Sequence, residues 1–180
     1  MTQPTGPRGR VEELRAAFDA VFAEPPPAPA GQTDDFLTVE VGTDSYALRL
    51  TEMDGVHRAP QLTPLPGAPA LLLGIAAVRG RVVPVFDLAS LLGYGRGEAQ
   101  PPAIVLCRSE RSVGLALGAI GRHFRVPPTE VQSRGSRDSG RAHVHAFVRT
   151  GDAVRPVVDI GSVLEAIRSR AAKSGSARED

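Results

Sequence analysis

The feature that most restricts the fold of this chain is an internal repeat. Residues 82–92, which read VVPVFDLASLL, return 72 positions later at residues 154–164 as VRPVVDIGSVL. Residues 45–50 return 67 positions later at residues 112–117, and in both places an Arg and then a Pro follow. Two ordered copies of about 70 residues predict two related units. Because each unit alone has a marginal core, we expect the two to pack together.

Alternating apolar and polar residues predict that each unit is built from β-strands. Residues 36–41 and 46–50 surround a Gly-containing turn and predict a hairpin. Many short strands separated by Gly and Pro favour small barrels or a sandwich, and the repeat favours two barrels. The further strand candidates are 73–79, 81–86, 103–108, 112–117, 119–126, 143–149 and 153–158.

Two residue types recur at equivalent places near the end of each copy. Asp87 and Asp159 lie where a strand gives way to a short apolar segment, so each is predicted to cap a helix N-terminus. Pro84 and Pro156 lie inside strand patterns. Proline cannot donate to a β-ladder, so each predicts a strand edge or a bulge, and a possible docking surface.

Both ends of the chain differ from the β-rich body, which we place at residues 35–170. Residues 1–34 are predicted to form an extension with a helix over 11–24, where apolar residues recur at helical spacing, and a Pro-rich linker over 25–33. The helix would pack on the body or bind a partner. Residues 171–180 are small and charged, and we expect a flexible tail.

Composition and charge argue against several functional classes. The chain has 180 residues and a net charge of +1, whereas a nucleic-acid binder normally shows a basic excess. The first ten residues lack the apolar segment of a secretory signal, and the longest apolar run, 68–78, is too short to span a bilayer. We therefore expect a soluble cytoplasmic protein without direct membrane insertion. An SH3-like-barrel nucleic-acid-binding protein stays open as an alternative, although it needs aromatic platforms.

No group of residues predicts catalysis, a metal site or a cofactor. Asp87 and Asp159 are not followed by the small hydroxyl residue and Gly that an aspartic protease dyad needs. His143 and His145 could share a strand face, but no further ligands have suitable spacing. Cys107 lies in an apolar run and is predicted to be a small buried side chain. We expect that the chain is not an enzyme; one of unrecognised type would need a deep polar pocket.

Residues 65–88 resemble CheW, the family of bacterial chemotaxis coupling proteins. Residues 73–88 read LGIAAVRGRVVPVFDL, close to the family pattern Gly-Val-x-Asn-Leu-Arg-Gly-x-Val-Val-Pro-Val-x-Asp-Leu, and a Pro-containing turn precedes them. The resemblance extends from about Phe36 to Leu164. It implies two tandem, five-stranded, SH3-like β-barrels, to which this chain would add an N-terminal helix and a short C-terminal helix.

The resemblance also implies a function. CheW-like proteins are adaptors that couple methyl-accepting chemoreceptors to a CheA-type histidine kinase in membrane-associated arrays. The receptor tip would lie in an apolar groove between the barrels, and the kinase regulatory domain would contact one face of the first barrel. The matching groove positions are Met53, Val56, Gly74, Arg79 and Ile120. The matching kinase-face positions are Arg81, Val83 and Val85.

The chain departs from the family pattern at polar positions of this groove. Gly55 replaces a Glu that is thought to pair with the Arg matched by Arg79. Glu52 and Asp54 are nearby substitutes, but Asp54 would point to the opposite face of an extended segment. Arg79 would then be available to a carboxylate of a partner. The other departures are Ala77 for Asn, Gly118 for Asp, and His123 for an apolar residue. These leave two versions open: an adaptor that bridges receptor and kinase, or an accessory adaptor that binds receptors but not the kinase.

Overall fold

The computed structural model describes residues 31–110, 112–133, 141–151 and 153–176. The predicted helix over 11–24 and most of its linker lie outside these residues. The first half of the body contains β1 (Asp34–Val41), β2 (Asp44–Arg49), β3 (Met53–Arg58), β4 (Leu62–Thr63), β5 (Leu72–Val78), β6 (Arg81–Asp87) and α1 (Leu88–Leu91). The second half contains β7 (Ala103–Cys107), β8 (Val113–Leu117), β9 (Ala119–Val126), β10 (Val131–Ser133), β11 (Val144–Thr150), β12 (Ala153–Val158) and α2 (Ile160–Ser176).

These strands form two six-stranded sheets. Sheet 1 has the order β10-β11-β12-β2-β1-β9, and sheet 2 has the order β3-β7-β8-β6-β5-β4. The two edge strands of each sheet follow one another in the chain, with only residues 59–61 or 127–130 between them. Because these short connections hold the two edges near each other, each sheet curls into a small barrel. The barrel formed by sheet 1 is called barrel 1, and the barrel formed by sheet 2 is called barrel 2. The predicted fold is confirmed, with six strands per sheet because the short β4 and β10 are added.

The register of strand pairing reproduces the sequence repeat. In sheet 2, β6 runs parallel to β8 with Val85 opposite Gly114. In sheet 1, β12 runs parallel to β2 with Val157 opposite Ala47. Val157 lies 72 positions after Val85, and Gly114 lies 67 positions after Ala47, which are the two offsets of the repeat. The two barrels are therefore built on one plan.

The two copies exchange their first hairpins. β1 and β2 lie in sheet 1 with β9–β12, whereas β7 and β8 lie in sheet 2 with β3–β6. The 3-10 turn Leu50–Glu52 carries the chain from sheet 1 to sheet 2, and Gly118 lies where the chain returns. The barrels are consequently intertwined, and each contains strands from both copies of the repeat.

A shared apolar core joins the two barrels. It contains Val39 from sheet 1, Leu115 from sheet 2, Leu88 from α1 and Ile160 from α2, all at most 1% exposed. Burial of each such side chain contributes about 1.5–3 kcal/mol. Smaller clusters fill each barrel. Because the largest cluster draws on both sheets and both helices, we expect the barrels to unfold together.

The C-terminal helix is longer than the sequence predicted. α2 ends at Ser176 and so includes residues 171–176, which were assigned to a tail. Ile160, Val163, Leu164 and Ile167 recur at helical spacing and are buried in the shared core, which explains why the helix is stable. Within the described part of the chain, no helix combines the length and apolar character that crossing a membrane requires.

Pro84 and Pro156 lie on strands that pair on both sides, not on edge strands. Parallel pairing of β6 with β8 begins at Val85, and that of β12 with β2 is at Val157. Since proline has no N–H to donate, pairing on this side begins only after it. The first half of each strand therefore has a neighbour on one side only, as an edge strand would.

Candidate docking surfaces

Two equivalent strands, β3 and β9, are edge strands of sheet 2 and sheet 1. Met53 and Val56 on β3 correspond to Ile120 and His123 on β9 through the offset of 67. Met53 is buried in the shared core, and Val56 and Ile120 pack against that core while partly exposed. Three of the five predicted groove residues therefore lie in or against the same shared core. Val56 and Ile120, which border this core from sheet 2 and sheet 1 and are partly exposed, are here called the apolar strip, and Met53 lies within the core.

Arg79 lies at the tip of the β5–β6 hairpin. Arg79 and Gly80 form a two-residue turn with φ of 50° and 76°, so both are left-handed, as in a type I′ turn. At the equivalent position of the second copy is Gly151, with φ of 60°. A side chain at such an angle costs about 1–2 kcal/mol, which glycine avoids. The guanidinium lies beside β3: its Nη2 is 3.5 Å from where a Cβ on Gly55 would be.

The two acidic residues nearest to Gly55 have other partners. Asp54 Oδ1 accepts a hydrogen bond from Arg108 Nε at 3.1 Å, which agrees with the predicted direction of its side chain. Glu52 Oε2 accepts from the backbone N–H of Ile160 at 3.2 Å, at the start of α2. The exposed Arg79 side chain makes no ion pair with any described residue.

Gly74 has a structural role that needs no partner. It is buried at an irregularity of the β5–β6 pairing, with φ of 155°. A Cβ there would lie 2.5 Å from the carbonyl oxygen of Thr63, so only glycine allows β4 and β5 to approach this closely. Gly118 donates its N–H to Glu40 O at 2.9 Å. Ala77 is exposed on β5.

His123 belongs to a charged group at one end of the groove face. It lies opposite Leu37, which packs on the shared core, so the two side chains share a face. His123 Nε2 donates to Asp35 Oδ1 at 2.6 Å, and Arg125 Nε donates to the same oxygen at 2.7 Å. The hydrogen bond from Arg125, followed by that from His123, lowers the pKa of Asp35. This carboxylate is therefore satisfied within the chain.

The predicted kinase face needs correction because strand alternation places two of its residues inside barrel 2. Val83 and Val85 are 2% and 0% exposed and belong to the core of that barrel. The side chain between Arg81 and Val83, Val82, is 69% exposed. The outward residues of β6 are Val82, Pro84 and Phe86, and Arg81 is exposed beside them.

These outward residues line a groove of about 1160 Å³. Its other walls are the β7–β8 turn and one side of α2, including Leu164 and Ile167. Arg81, Arg108 and Arg168 lie on its lining together with Glu110 and Glu165. The result is an apolar floor with charged residues around it, which is the usual composition of a docking surface.

A network of hydrogen bonds around two tyrosines links β2 to the segment after α1 and the segment before β11. The sequence did not predict this network. Tyr46 Oη and Tyr94 Oη are 2.8 Å apart, Tyr94 donates to Asp44, and Arg141 bonds both Tyr46 and Asp44. The Arg141 guanidinium carbon also lies 4.0 Å from the Tyr94 ring centroid. These are the two tyrosines of the chain, but their separation of 48 positions gave no sign of contact.

Both predicted helix caps are confirmed. Among the described residues, Asp87 is the one fully buried charged side chain, at 2% exposure. Its Oδ1 accepts from the N–H of Ala89, and its Oδ2 accepts from Ser90 Oγ at 2.6 Å and the N–H of Gly97 at 2.7 Å. Asp159 Oδ1 accepts from the N–H of Ser162 at 2.9 Å. Capping therefore explains the repeated aspartates.

The remaining reactive side chains are held in structural roles. Burial, with smaller effects from nearby acidic charges, raises the pKa of the Cys107 thiol to about 12, so it is not a nucleophile at neutral pH. His143 Nδ1 lies 2.8 Å from Ser162 Oγ, and burial, followed by the charge of His145, lowers its pKa. In the described ranges, no three His, Cys, Asp or Glu side chains are placed to hold a metal ion.

Comparison with known proteins agrees with this architecture. The CheW-like domain family matches residues 35–168. The chemotaxis protein CheW of Thermotoga maritima is 22% identical over 134 residues, which cover 74% of this chain and 89% of that protein. Protein FrzA of Myxococcus xanthus is 34% identical over 74 residues, covering 41% of this chain and 46% of that protein.

A solved structure has the same fold. The crystal structure of the scaffolding protein TtCheW from Thermoanaerobacter tengcongensis superimposes with a TM-score of 0.63 at 19% identity, covering 71% of this chain and 90% of that one. The predicted resemblance and the chemotaxis adaptor role drawn from it are confirmed at the level of the family. The family match spans most of the chain, so this protein belongs to the CheW-like family.

Proposed function

We propose that this chemotaxis adaptor binds the helical tip of a methyl-accepting receptor between its barrels and the regulatory domain of a CheA-type kinase on β6. It would act in the cytoplasm at receptor arrays. The observation that carries the receptor half of this proposal is the strip of Val56 and Ile120 with Arg79 beside it. Two equivalent strands present this strip, one from each barrel.

The groove suits a helix better than an extended peptide. An amphipathic helix binds through an apolar stripe laid into an apolar groove, and its charged residues then meet the rim. Val56 and Ile120 provide the apolar contact, while Arg79 and His123 provide polar groups beside it. Met53 supports the strip from the core, so its replacement by a charged residue would harm folding as well as binding.

The kinase half of the proposal rests on the outward face of β6. An exposed Val82 next to Phe86 forms an apolar surface that a folded partner can cover. The arginines and glutamates around it can give orientation to the contact. Of the three kinase-face positions that the sequence predicts, only Arg81 is exposed on this face, because the side chains of Val83 and Val85 are buried inside barrel 2.

Binding to both partners, measured side by side, tests the proposal. The chain would be titrated separately with a soluble receptor fragment containing the signalling tip and with a purified kinase regulatory domain. Binding to both supports a bridging adaptor. Binding to the receptor fragment alone supports the accessory version, which the departures at Gly55 and Ala77 leave open. Failure to bind either partner would contradict both versions.

A further inference from the structure

We infer that Arg79 is a carboxylate-binding residue, and that the groove selects a helix carrying an acidic side chain beside its apolar stripe. This inference rests on the proposed receptor-binding function and adds the chemistry that the partner must have. It follows from three observations: the backbone strain at Arg79, the exposed position of its guanidinium beside Gly55, and the pairing of the neighbouring carboxylates.

The positive φ of Arg79 indicates that this side chain does not stabilise the β5–β6 hairpin. A type I′ turn favours Asn or Gly, and the equivalent turn of the second copy uses Gly151. An arginine with φ of 50° is less stable here, and no ion pair within the described chain offsets this cost. Strained residues of this kind concentrate at binding sites.

The guanidinium lies over a residue that has no side chain. A Cβ at position 55 would be 3.5 Å from Arg79 Nη2 and 4.0 Å from Nη1, so the guanidinium packs against the backbone of Gly55 at van der Waals distance. The Arg79 side chain is exposed, so a carboxylate from outside can reach the guanidinium beside β3. Arginine binds carboxylates through two parallel hydrogen bonds, which gives both strength and orientation.

The surrounding charges favour an acidic partner. Asp54 is paired with Arg108, Glu52 with the start of α2, and Asp35 with Arg125 and His123. None of these carboxylates neutralises Arg79. The cation beside the apolar strip thus has no ion-pair partner among the described residues, and a carboxylate of the receptor helix would supply the missing charge.

Three substitutions at Arg79 test the inference against the soluble receptor fragment. Arg79→Gln, which keeps most of the length but removes the charge, is expected to weaken binding by about tenfold or more. Arg79→Gly is expected to weaken binding similarly while the melting temperature stays equal or rises, because glycine relieves the positive φ. Arg79→Lys should restore part of the affinity, since it keeps the charge without the planar fork.

Arg149→Gln is the matched control, because Arg149 is exposed on β11 of barrel 1 and makes no ion pair with a described residue. The affinity of Arg149→Gln for the receptor fragment should equal that of the unmodified chain. The affinity of the unmodified chain should also fall more steeply with salt than that of Arg79→Gln.

The outcomes separate this inference from the proposed function. If the receptor fragment binds equally well to the unmodified chain, Arg79→Gln and Arg79→Gly, the inference is wrong while the adaptor function stands. If Arg79→Gly loses affinity and also melts at a lower temperature, Arg79 is structural and the inference fails. If the unmodified chain does not bind the fragment, the proposed function fails first and the inference with it.

Discussion

Replacement of Glu52 tests how the crossover between the sheets holds the C-terminal helix. Glu52 ends the turn that leads from sheet 1 to sheet 2, and its carboxylate accepts from the N–H of Ile160 at 3.2 Å. Asp159 accepts from the N–H of Ser162, two residues further along the helix. A side chain from the first copy therefore caps the helix of the second copy, so the contact exists only because the copies are intertwined.

The buried charge of Glu52 destabilises the folded state, whereas the hydrogen bond that Glu52 accepts from Ile160 stabilises it. Burial raises the pKa of Glu52, and the hydrogen bond from Ile160 reverses only part of this effect. The nearby charge of Asp159 raises this pKa further, and that of Arg49 lowers it. The folded state thus binds a proton at Glu52 more tightly than the unfolded state does. The hydrogen bond itself should contribute about 1 kcal/mol, as a helix cap usually does.

Glu52→Gln and Glu52→Ala separate these two effects. Glutamine keeps an oxygen that can accept from Ile160 and loses the buried charge, so at pH 7 it should be as stable as the original chain or more stable. Alanine loses the hydrogen bond and should be less stable than the glutamine variant by about 1 kcal/mol. In a chain of this length, that corresponds to a melting temperature lower by about 2–4 °C.

The pH dependence of stability shows whether the negative charge of Glu52 stabilises or destabilises the folded state. A carboxyl with a raised pKa in the folded state contributes stability that is fully present below its unfolded pKa and is lost as pH rises through the folded pKa. The advantage of Glu52→Gln over the original chain should therefore grow from about pH 4 to pH 8, measured by urea unfolding. If the glutamine variant instead loses stability relative to the original chain as pH rises, the buried charge is favourable and this reasoning is wrong.

Three further predictions concern exposed, buried and reactive positions. Val82→Asp should abolish binding of the kinase regulatory domain without changing the melting temperature, whereas Val154→Asp, at the equivalent position of barrel 1 and 57% exposed, should bind normally; equal loss in both, measured by titration, would contradict the kinase face. Asp87→Asn should lower the free energy of unfolding by about 2 kcal/mol, because in either orientation the NH2 of its amide would face at least one backbone N–H donor, Ala89 or Gly97, that the carboxylate now satisfies. Asp159→Asn should cost less than about 1 kcal/mol; equal costs of the two substitutions in urea unfolding would refute this reading. Cys107 should react with iodoacetamide only in denaturant, and labelling of the native chain within minutes would disprove its burial.

Much of the fold could be predicted because the repeat carries the register. The repeat offsets, 67 from Ala47 to Gly114 and 72 from Val85 to Val157, relate the parallel strand pair of one sheet to that of the other. The exchange of hairpins could not be predicted. A chain of two separate barrels and a chain of two intertwined barrels have the same repeat, and only pairing between the copies distinguishes them. β3 was missed because residues 53–58 mix apolar, charged and glycine positions.

The candidate surfaces were harder to predict because they depend on which way side chains point. Val82 and Val83 are identical residues, so alternation of polarity could not reveal that Val82 is outside and Val83 inside. Similarly, whether Arg79 has an ion-pair partner among the described residues depends on where Asp54 and Glu52 find their own partners. Sequence spacing indicated the direction of Asp54 correctly, but the bond from Glu52 to α2 spans 108 positions and left no local signal.

Formation of a ternary complex tests the account most directly. The receptor fragment and the kinase regulatory domain would be mixed with the chain and separated by size-exclusion chromatography with light scattering. Because the groove and the outer face of β6 are different surfaces, we expect one peak that contains all three proteins. Displacement of one partner by the other would contradict the two-surface account.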